Sequence, residues 1–245
     1  MISEAQLTAI KAYALERLEA DHSGHGSDHL ERVNRLAKRL ATAERANLNL
    51  TLAAAWLHDV IDDKLMADPT AAHAALTAKL TALAVTPADQ AFIFEIIDHM
   101  SFSKSFNGPQ TLSLEGQIVQ DADRLDAIGA IGIARALYYS GHVGEQIYDP
   151  AIAPREHLTK EQYREQPGTA INHFYEKLFK LEGLMNTAAA KQLAAHRTAV
   201  MHQFVDQFKA EWRALIHISQ PTRTSWTSYA SLVLITTSGW SQQCR

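Results

Sequence analysis

The chain has 245 residues, 47% of them hydrophobic and 20% charged, a composition that can bury a real core and excludes a disordered chain. Its 23 basic and 27 acidic side chains leave a formal charge of −4, which supplies no broad basic field for coating nucleic acid. The single cysteine, Cys244, excludes an internal disulfide framework and a cysteine zinc cage, and no apolar run reaches the ~18–20 residues that a membrane span needs.

The N-terminal stretch, Met1 to Asp21, lacks the basic start, apolar block and cleavage site of a signal peptide, so a cytoplasmic setting is the expectation. Ser3 and Gln6 have capping-box spacing, and Leu7, Ile10, Leu15 and Leu18 follow at helical intervals. From about Asp28 to Ala46 a second helix carries Val33, Leu36 and Leu40 on one stripe and Glu31, Arg35, Lys38 and Arg39 on the other face. Leu50 to Ile61 is apolar almost all round and reads as a buried central helix. A more polar helix is expected from about Pro69 to Leu83. Thr86-Pro87 opens another, with Thr86 as N-cap, running to about Met100.

Ser101 to Thr111 reads as a loop from its serines and its Gly-Pro pair. One long helix is expected from about Ser113 to Tyr139, with Gly129 and Gly132 inside it. Ser140 to Gly168 reads as a long, partly irregular connection. Helices over His173–Leu184 and Thr187 to about Leu215 complete an all-α body, a single helical bundle with no repeat and no convincing strand. Residues 216–245 differ abruptly: they hold eleven Ser or Thr, two of the four Trp, and only Arg223 and Arg245 as charges. They are expected to lie outside the fold, with residues 1–215 as the body.

Twelve histidines are unusual for this length, and their positions direct the chemistry. His29 lies on the Val33, Leu36, Leu40 stripe and therefore points toward the core. His58-Asp59 closes the apolar central helix, where an ionised Asp costs several kcal/mol unless paired, protonated or metal-bound. Asp121-Ala122-Asp123-Arg124-Leu125-Asp126 places three carboxylates among apolar neighbours. Asp121 and Asp123 are about 200° apart on a helix and cannot share a target, whereas Asp123 and Asp126 can. Two His and two Asp from three helices make a mixed N/O site suited to Mn²⁺, Fe²⁺, Co²⁺ or Mg²⁺.

The order His29, His58-Asp59 and Asp123 resembles that of the HD-domain metal-dependent phosphohydrolase superfamily. The motifs span residues 22–126, and within the superfamily the chain looks most like a small bacterial branch that includes nucleotide pyrophosphatases. The resemblance implies that His29, His58, Asp59 and Asp123 bind the metal, Mn²⁺ foremost. It also implies hydrolysis of nucleoside triphosphates to monophosphate and pyrophosphate. Asp62 and Asp63, one turn beyond His58-Asp59, resemble the paired acids of the branch that hydrolyses guanosine tetraphosphate, which keeps that activity and a phosphomonoesterase as alternatives.

Asp62 or Asp63 would orient or deprotonate the attacking water. Lys64, Arg124 and Lys104 are candidates for neutralising the phosphates. His25, between Gly24 and Gly26, would face the substrate or protonate the leaving group, and His99 would contact the substrate. The expected partner is a small nucleotide, with neither nucleic acid nor membrane, and a homodimer is one possible assembly. The rival from another class is a metal-binding helical sensor or scaffold without turnover.

Overall fold

A computed structural model describes residues 1–19, 26–61, 68–100, 111–155 and 168–218. The described residues contain helices and no strand: α1 (Glu4–Arg17), α2 (Ser27–Glu44), α3 (Leu48–Leu57), α4 (Pro69–Ala82), α5 (Pro87–His99), α6 (Leu114–Asp126), α7 (Gly129–His142), α8 (Ala170–Glu176), a 3₁₀ segment (Leu178–Leu184) and α9 (Ala188–Ile218). The all-α expectation holds.

Several helix starts follow local side-chain chemistry. Ser3 and Gln6 form the reciprocal capping box of α1: the Ser3 amide donates to Gln6 Oε1 at 2.9 Å and the Gln6 amide to Ser3 Oγ at 3.3 Å. Thr86 accepts from the Asp89 amide at 3.1 Å, with Pro87 in the first turn of α5. Asn47 caps α3 by accepting from the Leu50 amide at 3.3 Å.

The apolar α3 is the centre of the bundle, packed against α1, α2, α5 and α6. Its Ala53, Ala54, Ala55 and Leu57 are fully buried, and Leu30 of α2, Ile10 of α1 and Ile93 of α5 close around it. The alanines let the neighbouring backbones approach, while the leucines and isoleucines supply the apolar area. That packing fixes α2, α3 and α6 relative to one another, and those three elements carry the candidate ligands.

Three expected elements differ in the structure. α3 ends at Leu57, not Ile61, so His58 to Ile61 form a turn: His58 Nδ1 bonds the Ala55 carbonyl at 2.8 Å and the Val60 amide bonds Leu57 O at 3.1 Å. The expected helix from Ser113 to Tyr139 is two helices that break at Ala127-Ile128. Gly129 takes φ +78°, open to glycine at little cost, and a Cβ there would sit 3.0 Å from the Arg197 side chain. The helix expected at His173–Leu184 is α8 from Ala170 followed by the 3₁₀ segment, because Lys177 (φ −136°, ψ −58°) leaves the helical backbone.

Gly132 makes the α6–α7 corner possible, since a Cβ there would lie 2.3 Å from the Ala127 carbonyl oxygen. Gly132→Ala is expected to destabilise the protein by roughly 1–3 kcal/mol through overpacking. Urea unfolding measures it, and an unchanged midpoint would refute this account of the corner.

The chain divides into two compact units, residues 1–203 and 204–245. The helix α9 runs through to Ile218, three residues past the end expected from sequence, and residues 219–245 lie outside the described residues. In the second unit Phe208 stacks on Trp212 with ring centroids 5.7 Å apart.

Candidate metal centre

Four acceptor groups converge where α2, the turn after α3, and α6 meet. His29 Nε2 and His58 Nε2 are 3.2 Å apart. Asp59 Oδ2 lies 3.3 Å from each of them. Asp123 Oδ1 lies 3.5 Å from His29 Nε2 and 3.8 Å from His58 Nε2. The first three groups are buried, while the Asp123 side chain is 35% exposed and forms the open side of the cluster.

The opposite nitrogens of both rings are already committed. His58 Nδ1 faces the Ala55 carbonyl at 2.8 Å, and a carbonyl only accepts, so Nδ1 carries the proton. His29 Nδ1 faces Asp126 Oδ2 at 2.8 Å. Burial pushes the Asp126 carboxyl up, but hydrogen bonds from His29 and Arg32 outweigh it and hold it well below the usual carboxylate range. Asp126 therefore accepts, and His29 Nδ1 donates. Both Nε2 atoms are left to present lone pairs to each other and to two carboxylates, an arrangement that only a cation or extra protons can stabilise.

The spacings fit a metal ion. Nitrogen and oxygen ligands at about 2.1 Å lie roughly 3.0 Å apart in an octahedron and 3.4 Å apart in a tetrahedron. The 3.2 and 3.3 Å separations among His29, His58 and Asp59 fall within these edges, and Asp123 stands slightly farther out, at 3.5 and 3.8 Å from the two Nε2 atoms. Two neutral imidazoles and two carboxylates suit a divalent first-row metal or Mg²⁺.

Without metal, protons take over part of this role. Burial alone pushes both histidines toward the neutral form. For His29 the hydrogen bonds to Asp126 and Asp59 outweigh it, and its pKa is raised. For His58 the charges of Asp59 and Asp123 raise it from 6.5 to about 9. A raised folded-state pKa contributes stability that is fully present below about 6.5 and is lost as pH rises through about 9. Chelator-stripped protein is therefore expected to melt at lower temperature as pH rises across that window. Mn²⁺ competes with the same protons, so its affinity should rise over the same interval. Calorimetric titration at several pH values checks this, and an affinity flat in pH would contradict it.

Asp126 has a role that sequence reading did not assign. It is 1% exposed and accepts from His29 Nδ1, Arg32 Nε at 2.8 Å, Arg32 Nη2 at 3.1 Å and Arg135 Nη1 at 2.8 Å. It fixes the tautomer and tilt of His29, the service a carboxylate renders to a metal-ligating histidine. The signal was the three-residue spacing from Asp123: one carboxylate approaches the Nε2 edge of His29 and the other the Nδ1 edge. Spacing alone does not say which takes which.

Asp121 is turned elsewhere. It is fully buried and accepts from the Asn186 amide at 2.8 Å, the Thr187 amide at 2.8 Å and Thr187 Oγ1 at 2.9 Å. That ties the start of α9 to α6. Arg124 is largely buried and donates through Nη1 to the Leu184 carbonyl. His99 is exposed at the end of α5, its Nδ1 bonded to Glu95 O at 2.8 Å. His25, Asp62, Asp63, Lys64 and Lys104 lie outside the described residues.

Residues 26–128 match the family model of the HD domain. The uncharacterised protein YpgQ of Bacillus subtilis is 35% identical over 207 residues, 84% of this chain and 93% of that protein. A crystal structure of YpgQ in complex with ADP matches with a TM-score of 0.68 and 33% identity, over 84% of this chain and 95% of that one. A Lactobacillus plantarum crystal structure is 78% identical with a TM-score of 0.80, over 87% of this chain and all of that one. An HD-superfamily hydrolase from Bacillus thuringiensis is 38% identical with a TM-score of 0.68, over 86% of this chain and 98% of that one.

Proposed function

The chain belongs to the HD-domain family, and from that premise we propose that it hydrolyses nucleoside triphosphates to nucleoside monophosphate and pyrophosphate. Metal-dependent phosphohydrolysis is the chemistry that goes with an HD-superfamily hydrolase fold and its His-His-Asp cluster. The observation that carries the reading is the convergence of His29 Nε2, His58 Nε2, Asp59 Oδ2 and Asp123 Oδ1 within 3.2–3.8 Å of one or both imidazole nitrogens. A nucleotide as substrate is supported by the ADP complex of YpgQ, a relative that matches over most of both chains.

In this proposal His29, His58, Asp59 and Asp123 would hold divalent metal, Mn²⁺ foremost. Bound there, such an ion supplies a water of lowered pKa and neutralises charge on a phosphoryl oxygen. His29 and His58 contribute neutral nitrogens because Asp126 and the Ala55 carbonyl retain their Nδ1 protons. Asp123, on the exposed side, borders the space from which a nucleotide approaches.

The water oxygen bonds to the α-phosphorus as the bond to the α,β-bridging oxygen breaks, and pyrophosphate leaves with that electron pair. Asp62 accepts the proton of the water, with Asp63 beside it, and His25 protonates the leaving group. Lys64 offsets the charge of the phosphate chain, with Lys104 and His99 as further substrate contacts, whereas Arg124, expected from sequence to share that role, is buried against the Leu184 carbonyl.

Product identification by ³¹P NMR tests the reading. With Mn²⁺ and a panel of ribo- and deoxynucleoside triphosphates plus guanosine tetraphosphate, pyrophosphate should appear together with a nucleoside monophosphate. Orthophosphate as the only product, or pyrophosphate from guanosine tetraphosphate alone, would overturn it.

A further inference from the structure

The metal centre uses one face of α2 and of the α3 region, and a second polar site is built on their opposite faces. At about 100° per residue, Glu31, Asn34, Arg35 and Lys38 lie roughly 140–240° around α2 from His29. Trp56 lies about 200° from His58 by the same measure. These residues, with Lys11 of α1 and Leu52 of α3, line a groove of about 290 Å³.

Its floor is apolar, with Trp56 nearly buried and Leu52 half-buried. Lys11 Nζ sits 5.0 Å over the Trp56 ring and 4.0 Å from Glu31 Oε1. Arg35 does not take the Glu31 carboxylate; its Nε donates to the Glu31 backbone carbonyl at 3.2 Å. Arg35 and Lys38 form no ion pair among the described residues. Three cations thus share one carboxylate around the groove, on a chain whose formal charge is −4. Two exposed like charges three apart on a helix oppose its folding, and a bound anion reverses that effect. Asn34, 6% exposed in the groove wall, donates through Nδ2 to Leu30 O at 3.3 Å, while its Oδ1 is buried without any donor.

We propose that this groove is a second ligand site, separate from the metal centre, for an organic phosphate of the nucleoside diphosphate class. The phosphates meet Arg35 and Lys38, and the apolar part lies against Leu52, beside the Trp56 ring that Lys11 covers.

The experiment uses the full chain in EDTA, in a background carrying Asp123→Ala, with ADP and inorganic pyrophosphate as probes in calorimetric titrations. ADP is expected to bind in this metal-free background, and Arg35→Glu with Lys38→Glu should weaken it at least tenfold. Pyrophosphate should bind at least tenfold more weakly than ADP, since it leaves the apolar floor uncovered. Both charge reversals are at exposed positions, and circular dichroism verifies the fold. Arg35→Ala with Lys38→Ala provides a milder pair, expected to weaken ADP several-fold. Absence of ADP binding, an affinity indifferent to both pairs, or pyrophosphate binding as tight as ADP would each overturn the second site. None of these readouts depends on turnover at the metal centre, so the two proposals fail separately.

Discussion

Asp59→Ala is expected to abolish metal retention and lower nucleotide turnover by about three orders of magnitude. The carboxylate lies 3.3 Å from both Nε2 atoms and, of the two carboxylates in the cluster, is the buried one. A bound cation contributes several kcal/mol of charge stabilisation to phosphoryl transfer. At about 1.4 kcal/mol per factor of ten, losing it accounts for a loss of that size. The fold should survive, because His29 and His58 can shed their extra protons once the carboxylate is gone. Metal content by plasma emission and turnover with added Mn²⁺ read the two effects together. A variant that keeps its metal and most of its rate would mean that Asp59 is not a ligand.

Asp126 should show the next largest effect, and on a different observable. Asp126→Asn preserves the shape but leaves His29 Nδ1 facing an amide whose orientation and charge no longer fix the ring. Loss of such a carboxylate partner typically costs 10–100-fold in metal affinity. Mn²⁺ titration should show that weakening while the variant still saturates. Asp126→Ala should also destabilise the fold, since Arg32 and Arg135 lose their shared acceptor. Breaking a fully buried ion pair costs about 3–5 kcal/mol. The two arginine side chains are 22% and 21% exposed, which lowers the expectation to about 2–3 kcal/mol. Equal Mn²⁺ affinity in Asp126→Asn and the unaltered protein would reduce Asp126 to a purely structural role.

Much of this architecture was readable from residue pattern. The Ser3–Gln6 box and the Thr86-Pro87 start stand where local hydrogen bonding demands them. The stripe that turned His29 inward put it at the bundle centre, beside His58 and Asp59 and 3.5 Å from Asp123 Oδ1. What escaped was set by tertiary contact. Val60 and Ile61 continue the apolar pattern of α3, yet the His58–Ala55 bond ends the helix. Ala127-Ile128-Gly129 also reads as helix, and nothing local announces that Gly129 adopts a positive φ against Arg197. The pairing of Asp126 with Arg32 and Arg135 joins three helices, and no local rule selects those partners. Burial of Arg124 against the Leu184 carbonyl is likewise a contact across 60 residues.

The account rests on two imidazole Nε2 atoms facing one cation. Electron spin-echo spectroscopy of the Mn²⁺-loaded full chain reads that directly, through nitrogen couplings from coordinated imidazole. Two such nitrogens are predicted, falling to one in His29→Ala. Mn²⁺ that shows no imidazole coupling, or a spectrum unchanged by His29→Ala, would contradict the metal centre described for this chain.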